Sequence, residues 1–287
     1  MAGDPEWKRR VLEAPRVERV EALADRSLHA LYFLWLSRIA GPLGEFTIAI
    51  DAGRRAIVEA ERIGDEVVAA AARGVLSYRY AWTGRLLDGL ACAQQSVRAL
   101  EGTPHRYWLG HAYRGVAFNS LQQGYFTDTV AAAERMGVIG REIEDAILEF
   151  SADWMQAAVL ILSGDAERAV KRCHEVLERA PGPIELAQAS ALLGAAYVEG
   201  GRADAAIEVL EPLITHSDRL RQAHVQGMYA AFLAEAYRLR HELDRAESLA
   251  GAGLAATLQA GYRYYADAPD GGPDWGLRFT VTLLFPK

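Results

Sequence analysis

Cysteine is scarce in this sequence, which has only Cys92 and Cys173 among its 287 residues. The two lie far apart, and each falls within an apolar helical pattern. They can therefore supply neither a disulfide framework nor a four-ligand zinc site. Because a chain that uses cysteine so little suits a reducing compartment, we expect the protein to be cytoplasmic.

Long apolar runs are also missing. The longest strongly apolar stretch, residues 28–40, contains a histidine, a serine and an arginine. It is shorter than the roughly 20 residues that a membrane-spanning helix needs. The first ten residues are charged and lack the apolar centre of a signal peptide. We therefore expect no interaction with a membrane.

Positive charge is limited, since 31 Lys and Arg residues stand against 38 Asp and Glu residues, for a net charge of −7. Affinity for nucleic acid comes from clustered Lys and Arg. The one basic cluster near a terminus, residues 8–10, lies beside Glu6 and Glu13 and is typical of a solvated helix end. The sequence predicts no direct nucleic-acid partner.

Catalytic motifs are absent from the sequence. It contains no Walker-type phosphate loop, no HExxH, no GxSxG and no paired CxxC. Residues 251–256 resemble a dinucleotide-binding fingerprint, but no strand precedes them, so close helix packing explains these glycines better. The seven histidines do not share the i, i+4 face of a helical metal site. We expect a protein that is not an enzyme and has no metal or cofactor.

What recurs instead is a turn between two helical patterns. A glycine ends the first pattern, an aromatic or apolar residue follows two places later, and a small residue stands three places after that. Glycine suits this position because it enters the left-handed conformation without a steric penalty. The first four turn positions are 40 residues apart, and the next two follow after 37 and 40 residues. The six turn positions are Gly44, Gly84, Gly124, Gly164, Gly201 and His241.

A second small residue lies seven places before each turn position and predicts a close crossing of helices. Six returns of one pattern at a regular period indicate a stacked array of helix pairs. A tyrosine follows the small residue three places later in three copies, at Tyr80, Tyr197 and Tyr237. The small residues are Ser37, Ser77, Ala117, Ala157, Gly194 and Ala234.

The best copy, Leu193-Gly194-Ala195-Ala196-Tyr197 followed by Gly201, Ala206 and Leu210, resembles the tetratricopeptide repeat family. The family unit has 34 residues, whereas the period near 40 resembles the longer-helix variety in the sensor regions of large bacterial ATP-dependent transcription regulators and of ATPase-linked nucleotide cyclases. The resemblance implies an all-α fold, a right-handed α-solenoid of about six helix-turn-helix pairs. HEAT and armadillo arrays have a similar period and rank second.

The breaks in the pattern predict three segments. Residues 1–24 are highly charged and read as a mobile start or a capping helix. Residues 25–260 carry the repeats. Residues 261–287 contain a glycine- and proline-rich breaker, 268–273, and the only β-like run of the chain, 279–285, and are expected to form an irregular tail.

In such solenoids the first helices of successive pairs line a concave groove, so selected positions of these helices should bind the partner. These positions are rich in aromatic residues and arginine, the types that dominate binding energy at interfaces. Trp82, Phe118 and Trp154 fit packing between neighbouring pairs equally well. The arginines could hold a carboxylate. The predicted binding residues are Arg38, Tyr78, Trp82, His111, Arg114, Phe118, Gln122, Trp154, Gln188, Glu235 and Arg238.

Together these features predict a non-enzymatic scaffold that binds a protein or peptide through its groove, in signalling or transcription regulation. The alternative is a sensor that binds a sugar or metabolite in an aromatic-lined groove. The family's carboxylate clamp of Lys and Asn is not reproduced, because Leu34, Arg38, Gly74 and Tyr78 occupy its positions. The sequence therefore gives no support for binding of chaperone tails.

Overall fold

A computed structural model describes residues 25–220 and 223–254, and within these ranges the chain forms helices and turns without a strand. Twelve α-helices in the described part are arranged as six consecutive pairs, which confirms the expected all-α fold of helix-turn-helix repeats. The pairs are α1 (Arg26–Ala40) with α2 (Phe46–Arg62), α3 (Glu66–Trp82) with α4 (Leu86–Leu100), α5 (Arg106–Gln123) with α6 (Phe126–Glu142), α7 (Ala146–Leu162) with α8 (Ala166–Glu178), α9 (Pro183–Glu199) with α10 (Ala203–Leu220), and α11 (Ala223–Leu239) with α12 (Leu243–Leu254).

The chain divides into two compact units inside α7, between Ala152 and Asp153. The first unit contains α1 to α6 and the start of α7, with a short 3₁₀ turn at Gly41–Leu43 after α1. Its helices pack each against the next, and α3 also packs against α1 and α5. The second unit contains the rest of α7 and α8 to α12, and α11 there packs against both α9 and α10.

The turn inside each pair has one repeated geometry. Five of the six turn positions are glycines with positive φ, between 68° at Gly201 and 82° at Gly44 and Gly164, and the sixth is His241 with φ 62°. The amide that follows the turn position donates to the carbonyl of the residue four places before the turn position. Arg85 donates to Tyr80 at 2.9 Å in this way, and Glu242 donates to Tyr237 at 3.0 Å. This bond satisfies a carbonyl that the helix end leaves free. The six predicted turns are therefore equivalent bends.

The small residues of the pattern lie where helices cross. All six small residues that precede the turns are buried, among them Ser37, Ser77, Ala117 and Ala157, each with no exposed surface. A side chain at Gly194 would place its Cβ 2.4 Å from Leu210 Cγ, which is closer than real Cβ contacts come. Glycine therefore permits the close approach of α9 and α10.

The tyrosine of the pattern is a buried anchor beside the turn. Tyr80 and Tyr197 are 5% and 8% exposed, and arginines of the following turns cover their rings. The guanidinium carbon of Arg85 lies 4.2 Å from the ring centre of Tyr80, and that of Arg202 lies 4.6 Å from Tyr197. Each stack adds a cation–π contact to the packing of its helix pair.

The predicted boundaries stay predictions. The charged start, 1–24, and the predicted tail, 261–287, lie outside the described residues. The fingerprint-like stretch that begins at Gly251 falls in α12 as far as Leu254, and its last two residues lie outside the described part.

Candidate binding face

Six of the predicted binding residues come together in the first unit, on α3, α5 and the end of α1. The ring centre of Tyr78 lies 4.6 Å from that of Phe118, and Trp82 lies 5.6 Å from Phe118. Phe46, from the start of α2, stacks on Trp82 at 6.4 Å. Phe118 is 4% exposed, so it supports Tyr78 and Trp82 from below and offers little surface to a partner.

Arg38 is held by aromatic side chains of α1 and α5. Its Nη2 donates to the Tyr107 hydroxyl and lies 3.4 Å from His111 Nε2. Because a guanidinium has only donors, Nε2 of the neutral imidazole accepts here and the ring proton lies on Nδ1. The Arg38 guanidinium carbon also lies 5.3 to 5.7 Å from the ring centres of Trp35, Tyr107 and Trp108. These contacts orient Arg38 without neutralising its charge.

Side chains of α1 and α5 can meet because α3, which lies between them in sequence, has small residues at this level. On α3, Ala71 is buried in the same cluster as Leu34 of α1, and a Cβ at Gly74 would face Ser96 and Ala112. Trp108 packs against the buried cluster that contains Leu34, Ala71 and Val75. The sequence AAAARG in α3 therefore makes room for the larger residues of its neighbours.

Two more arginines lie beside Arg38. The Arg114 guanidinium carbon is 4.8 Å from the Tyr78 ring centre, and Arg79 lies 5.7 Å from the same ring. Arg79 is only 7% exposed and donates from Nη2 to the carbonyl of Arg38 at 3.2 Å, near the end of α1. In the described part of the chain, the buried Nε atoms of both Arg79 and Arg114 have no hydrogen-bond partner.

The position of Arg79 depends on Gly41. A Cβ at residue 41 would lie 2.1 Å from Arg79 Cζ. A side chain there would require the guanidinium group to move from its buried position. Gly41 has φ −58°, an ordinary helical value, so the need for glycine comes from Arg79 and not from the backbone conformation.

The electrostatics reflect three positive charges in a partly buried place. The pKa of Arg79 is lowered to about 10, chiefly by burial and in smaller part by the charges of Arg114 and Arg38, while Tyr78 acts in the opposite direction. Burial likewise lowers the pKa of Arg38, and Arg114 adds to the effect, whereas Tyr107 and Asp145 oppose it. All three arginines remain charged at neutral pH.

His111 stays uncharged on this face. Burial lowers its pKa well below the ordinary value, and the charges of Arg38, Arg114 and Arg79 lower it further. The imidazole therefore offers one donor and one acceptor at neutral pH without adding charge.

An open depression of about 730 Å³ adjoins these residues. Its walls come from the turn before α5 and the start of that helix, including Tyr107 and Trp108, and from the turn before α7, including Asp145. The Asp145 carboxylate accepts hydrogen bonds from the amides of Ile147 and Leu148, both at 3.0 Å, so it begins α7 as well as lining the depression.

We call the partly exposed side chains of this region the recognition face. It combines two accessible arginines with aromatic rings, and Trp35 is 46% exposed. The recognition face consists of Trp35, Arg38, Tyr78, Trp82, Tyr107, Trp108, His111 and Arg114.

The remaining predicted residues do not join this cluster. Gln122 lies half-buried in the last turn of α5. In the second unit, Trp154 Nε1 donates to the Gln188 carbonyl at 3.3 Å, which fits packing between neighbouring pairs. Glu235 and Arg238 pair with each other along α11 at 2.6 Å. Within residues 153–220 and 223–254, no hydrogen bond or ion pair joins these two pairs.

Sequence reasoning missed Trp35, Arg79, Tyr107 and Trp108. Tyr107 lies four residues before His111, on the same side of α5, but a numbering based on the shorter family repeat begins the helix after it. The long period was the signal that each first helix has an extra turn. Arg79 follows Tyr78 directly, and nothing in the pattern distinguishes it from a solvated residue.

Residues 25–220 and 223–254 contain no group of three His, Cys, Asp or Glu side chains placed to hold a metal ion. None of the helices described in these ranges is both long and apolar enough to cross a membrane. Burial raises the pKa of Cys173 to about 12, which leaves its thiol protonated and unreactive.

Comparison with known proteins agrees with this architecture. The sequence model described as "Tetratricopeptide repeat" matches residues 160–231, from the end of α7 into α11. No curated protein matches the chain. No catalytic family is indicated.

Solved structures of similar fold share little sequence with this chain. The apo form of RapI superposes with a TM-score of 0.64 at 8% identity, covering 83% of this chain and 86% of that chain. The apo form of the quorum sensor NprR from B. thuringiensis gives 0.58 at 16%, covering 89% and 75%. A signal-transduction ATPase with a tetratricopeptide repeat sensor, PH0952 from Pyrococcus horikoshii, gives 0.53 at 17%, covering 91% of this chain and 42% of that chain.

At such identities these similarities concern the fold alone. The matched segment contains the best copy of the sequence pattern, and the same turn and crossing geometry recurs in the other pairs. The chain is therefore built of helix pairs of the tetratricopeptide kind, with the sequence match confined to residues 160–231 and a period longer than that family's usual unit.

Proposed function

We propose that the chain is a non-enzymatic binding module that takes a protein or peptide partner on its recognition face. Two observations carry the proposal together. Arg38 and Arg114 have no carboxylate partner among the described residues, and exposed or half-buried aromatic rings surround them. Rigid aromatic residues and arginine contribute most of the binding energy at protein interfaces.

We further propose that this binding serves signalling or transcription regulation. The similar structures include a quorum sensor, NprR, and a signal-transduction ATPase with a tetratricopeptide repeat sensor, PH0952. These descriptions belong to those proteins, and the shared fold supports a comparable sensor role here.

Peptide display tests the proposed function directly. Peptides selected from a displayed library on the full chain should bind wild type and lose about 30-fold in affinity on Tyr78→Ala, as expected for a central aromatic residue worth about 2 kcal/mol. Tyr113→Ala is the matched control, because Tyr113 is another half-buried tyrosine but contacts Glu101 and Arg135 instead. Selected peptides that bind Tyr78→Ala as well as they bind wild type would refute the proposed face.

The depression beside Tyr107 and Trp108 supports a second candidate, a sensor for a small ligand. Its volume and aromatic walls suit a sugar or metabolite. A ligand that binds only the folded state raises the melting temperature in a concentration-dependent way. A metabolite screen should therefore give a shift that Trp108→Ala abolishes. A screen without any such shift, together with selected peptides, would favour the first candidate.

A further inference from the structure

The buried arginines of this chain fall into two groups. Six arginines of the described residues are buried or half-buried. Three of them pair with carboxylates, namely Arg73 with Glu61, Arg106 with Glu142, and Arg172 with Asp153. In the described ranges, the other three form no ion pair with a carboxylate. These three are Arg38, Arg79 and Arg114, and they are neighbours.

Three unpaired guanidinium groups destabilise the protein unless an anion joins them. Arg38 and Arg114 each lower the pKa of Arg79, so the three charges act on one another through a partly buried medium. Burying unpaired charge is costly, and like charges in a medium of low dielectric constant repel strongly. The arrangement is therefore that of an empty anion site.

The unpaired hydrogen-bond donors also indicate an empty anion site. Arg79 Nε and Arg114 Nε are both buried and lack an acceptor in the part of the chain that the structure describes. A buried donor without a partner costs the full desolvation of that group. An oxyanion would supply acceptors to these N–H groups, and arginine matches the geometry of such oxygens especially well.

The charge balance selects the type of anion. The three arginines contribute three positive charges, and Asp145, which acts on Arg38 from the next turn, contributes one negative charge. His111 is neutral and leaves the balance unchanged. Two positive charges remain. A carboxylate neutralises only one of them, whereas a phosphate monoester above its second pKa of about 6 carries two negative charges.

We propose that Arg38, Arg79 and Arg114 bind the dianionic phosphate monoester group of a partner. This inference rests on the proposed function, since the phosphate would be the charged anchor of a ligand that lies on the recognition face. Arg38 and Arg114 are half-buried and meet the phosphate from the solvent side, while Arg79 fixes the deep side of the site. Tyr107 and Tyr78 orient the two outer guanidinium groups.

Calorimetric titration of the full chain with phenyl phosphate, inorganic phosphate and benzoate tests this proposal, at pH 7.5 and constant ionic strength. We expect one phenyl phosphate per chain, bound at least about tenfold more tightly than benzoate, the monoanion of similar shape. Phenyl phosphate should also exceed inorganic phosphate, because the ester group reaches the aromatic rings. Equal affinity for benzoate would contradict the preference for a dianion. Equal affinity for inorganic phosphate would contradict the preference for a phosphate monoester.

Two variants locate the site. Arg114→Gln and Arg38→Gln should each weaken phenyl phosphate about tenfold to hundredfold, the range for losing a hydrogen bond to a charged group. Arg135→Gln is the control, because Arg135 also lies over a tyrosine ring but is exposed and pairs with Glu101. Absence of binding, or binding unchanged in both variants, would overturn the proposal. Selected peptides that still depend on Tyr78 would then leave the proposed function intact.

Discussion

At the scale of single residues, one neighbouring side chain explains why glycine occupies a given position. Gly41 leaves room for the guanidinium group of Arg79, and Gly194 leaves room for the side chain of Leu210. The pattern in the sequence predicted the small residue at Gly194, because it belongs to the repeat. It could not predict Gly41, because that requirement comes from a side chain 38 places away, on another helix.

Replacing Gly194 tests the close crossing of α9 and α10. Gly194→Ala should lower the free energy of unfolding by about 1–3 kcal/mol, since the new Cβ would overlap Leu210. Gly200→Ala is the control, because a Cβ there meets nothing nearer than 3.4 Å and the φ of −81° suits alanine. Urea denaturation measures both variants. Equal stability of the two would show that the helices do not approach so closely.

The pH dependence of stability tests the surroundings of His111. A base whose pKa is lower in the folded state binds fewer protons when folded. The stability that neutral His111 contributes is therefore complete above the unfolded pKa of about 6.5, and it is lost as the pH falls below that value. Wild type should therefore lose stability from pH 7 to pH 5, with a slope from this group of at most about 1.4 kcal/mol per pH unit.

His111→Gln should remove that part of the slope in thermal or urea melts. The matched control is His105→Gln, because His105 is exposed in the turn before α5. It should keep the wild-type pH dependence. If the two variants gave the same pH profile, His111 would not lie among the three arginines in solution.

At the scale of the elements, the helix pairs could be predicted almost completely from their turns. A left-handed turn residue can be recognised in the sequence because it is nearly always glycine, and a crossing residue can be recognised because it must be small. The start of each first helix could not be located in this way. The extra turn of α5, which includes Tyr107, begins where the sequence has no repeated residue.

The turn between α11 and α12 is the one turn within a helix pair whose left-handed position is not a glycine, so it tests the need for glycine there. His241 occupies the left-handed position with φ 62°, at a cost of roughly 1–2 kcal/mol for a residue with a Cβ. His241→Gly should therefore raise the free energy of unfolding by about 1 kcal/mol. Ser248→Gly, an exposed position within α12, should lower it by a similar amount. A destabilised His241→Gly variant would contradict the assigned bend.

At the scale of the whole molecule, charge and burial concentrate the candidate chemistry in the first unit. The sequence predicted a row of binding residues along all the first helices, from Arg38 to Arg238. The structure brings six of them together in the first unit, whereas in the second unit Trp154 contacts Gln188 and Glu235 pairs with Arg238. Sequence periodicity predicts which side of a helix a residue occupies, but it cannot show which charges lack a partner.

Hydrogen exchange of the chain with and without a selected peptide tests the central claim most directly, because it reports every helix at once. We predict that the peptide protects the amides of α1, α3 and the first half of α5, around Arg38, Tyr78 and His111. Protection confined to α9 and α11, or to the second helices of the pairs, would contradict the assignment of the recognition face.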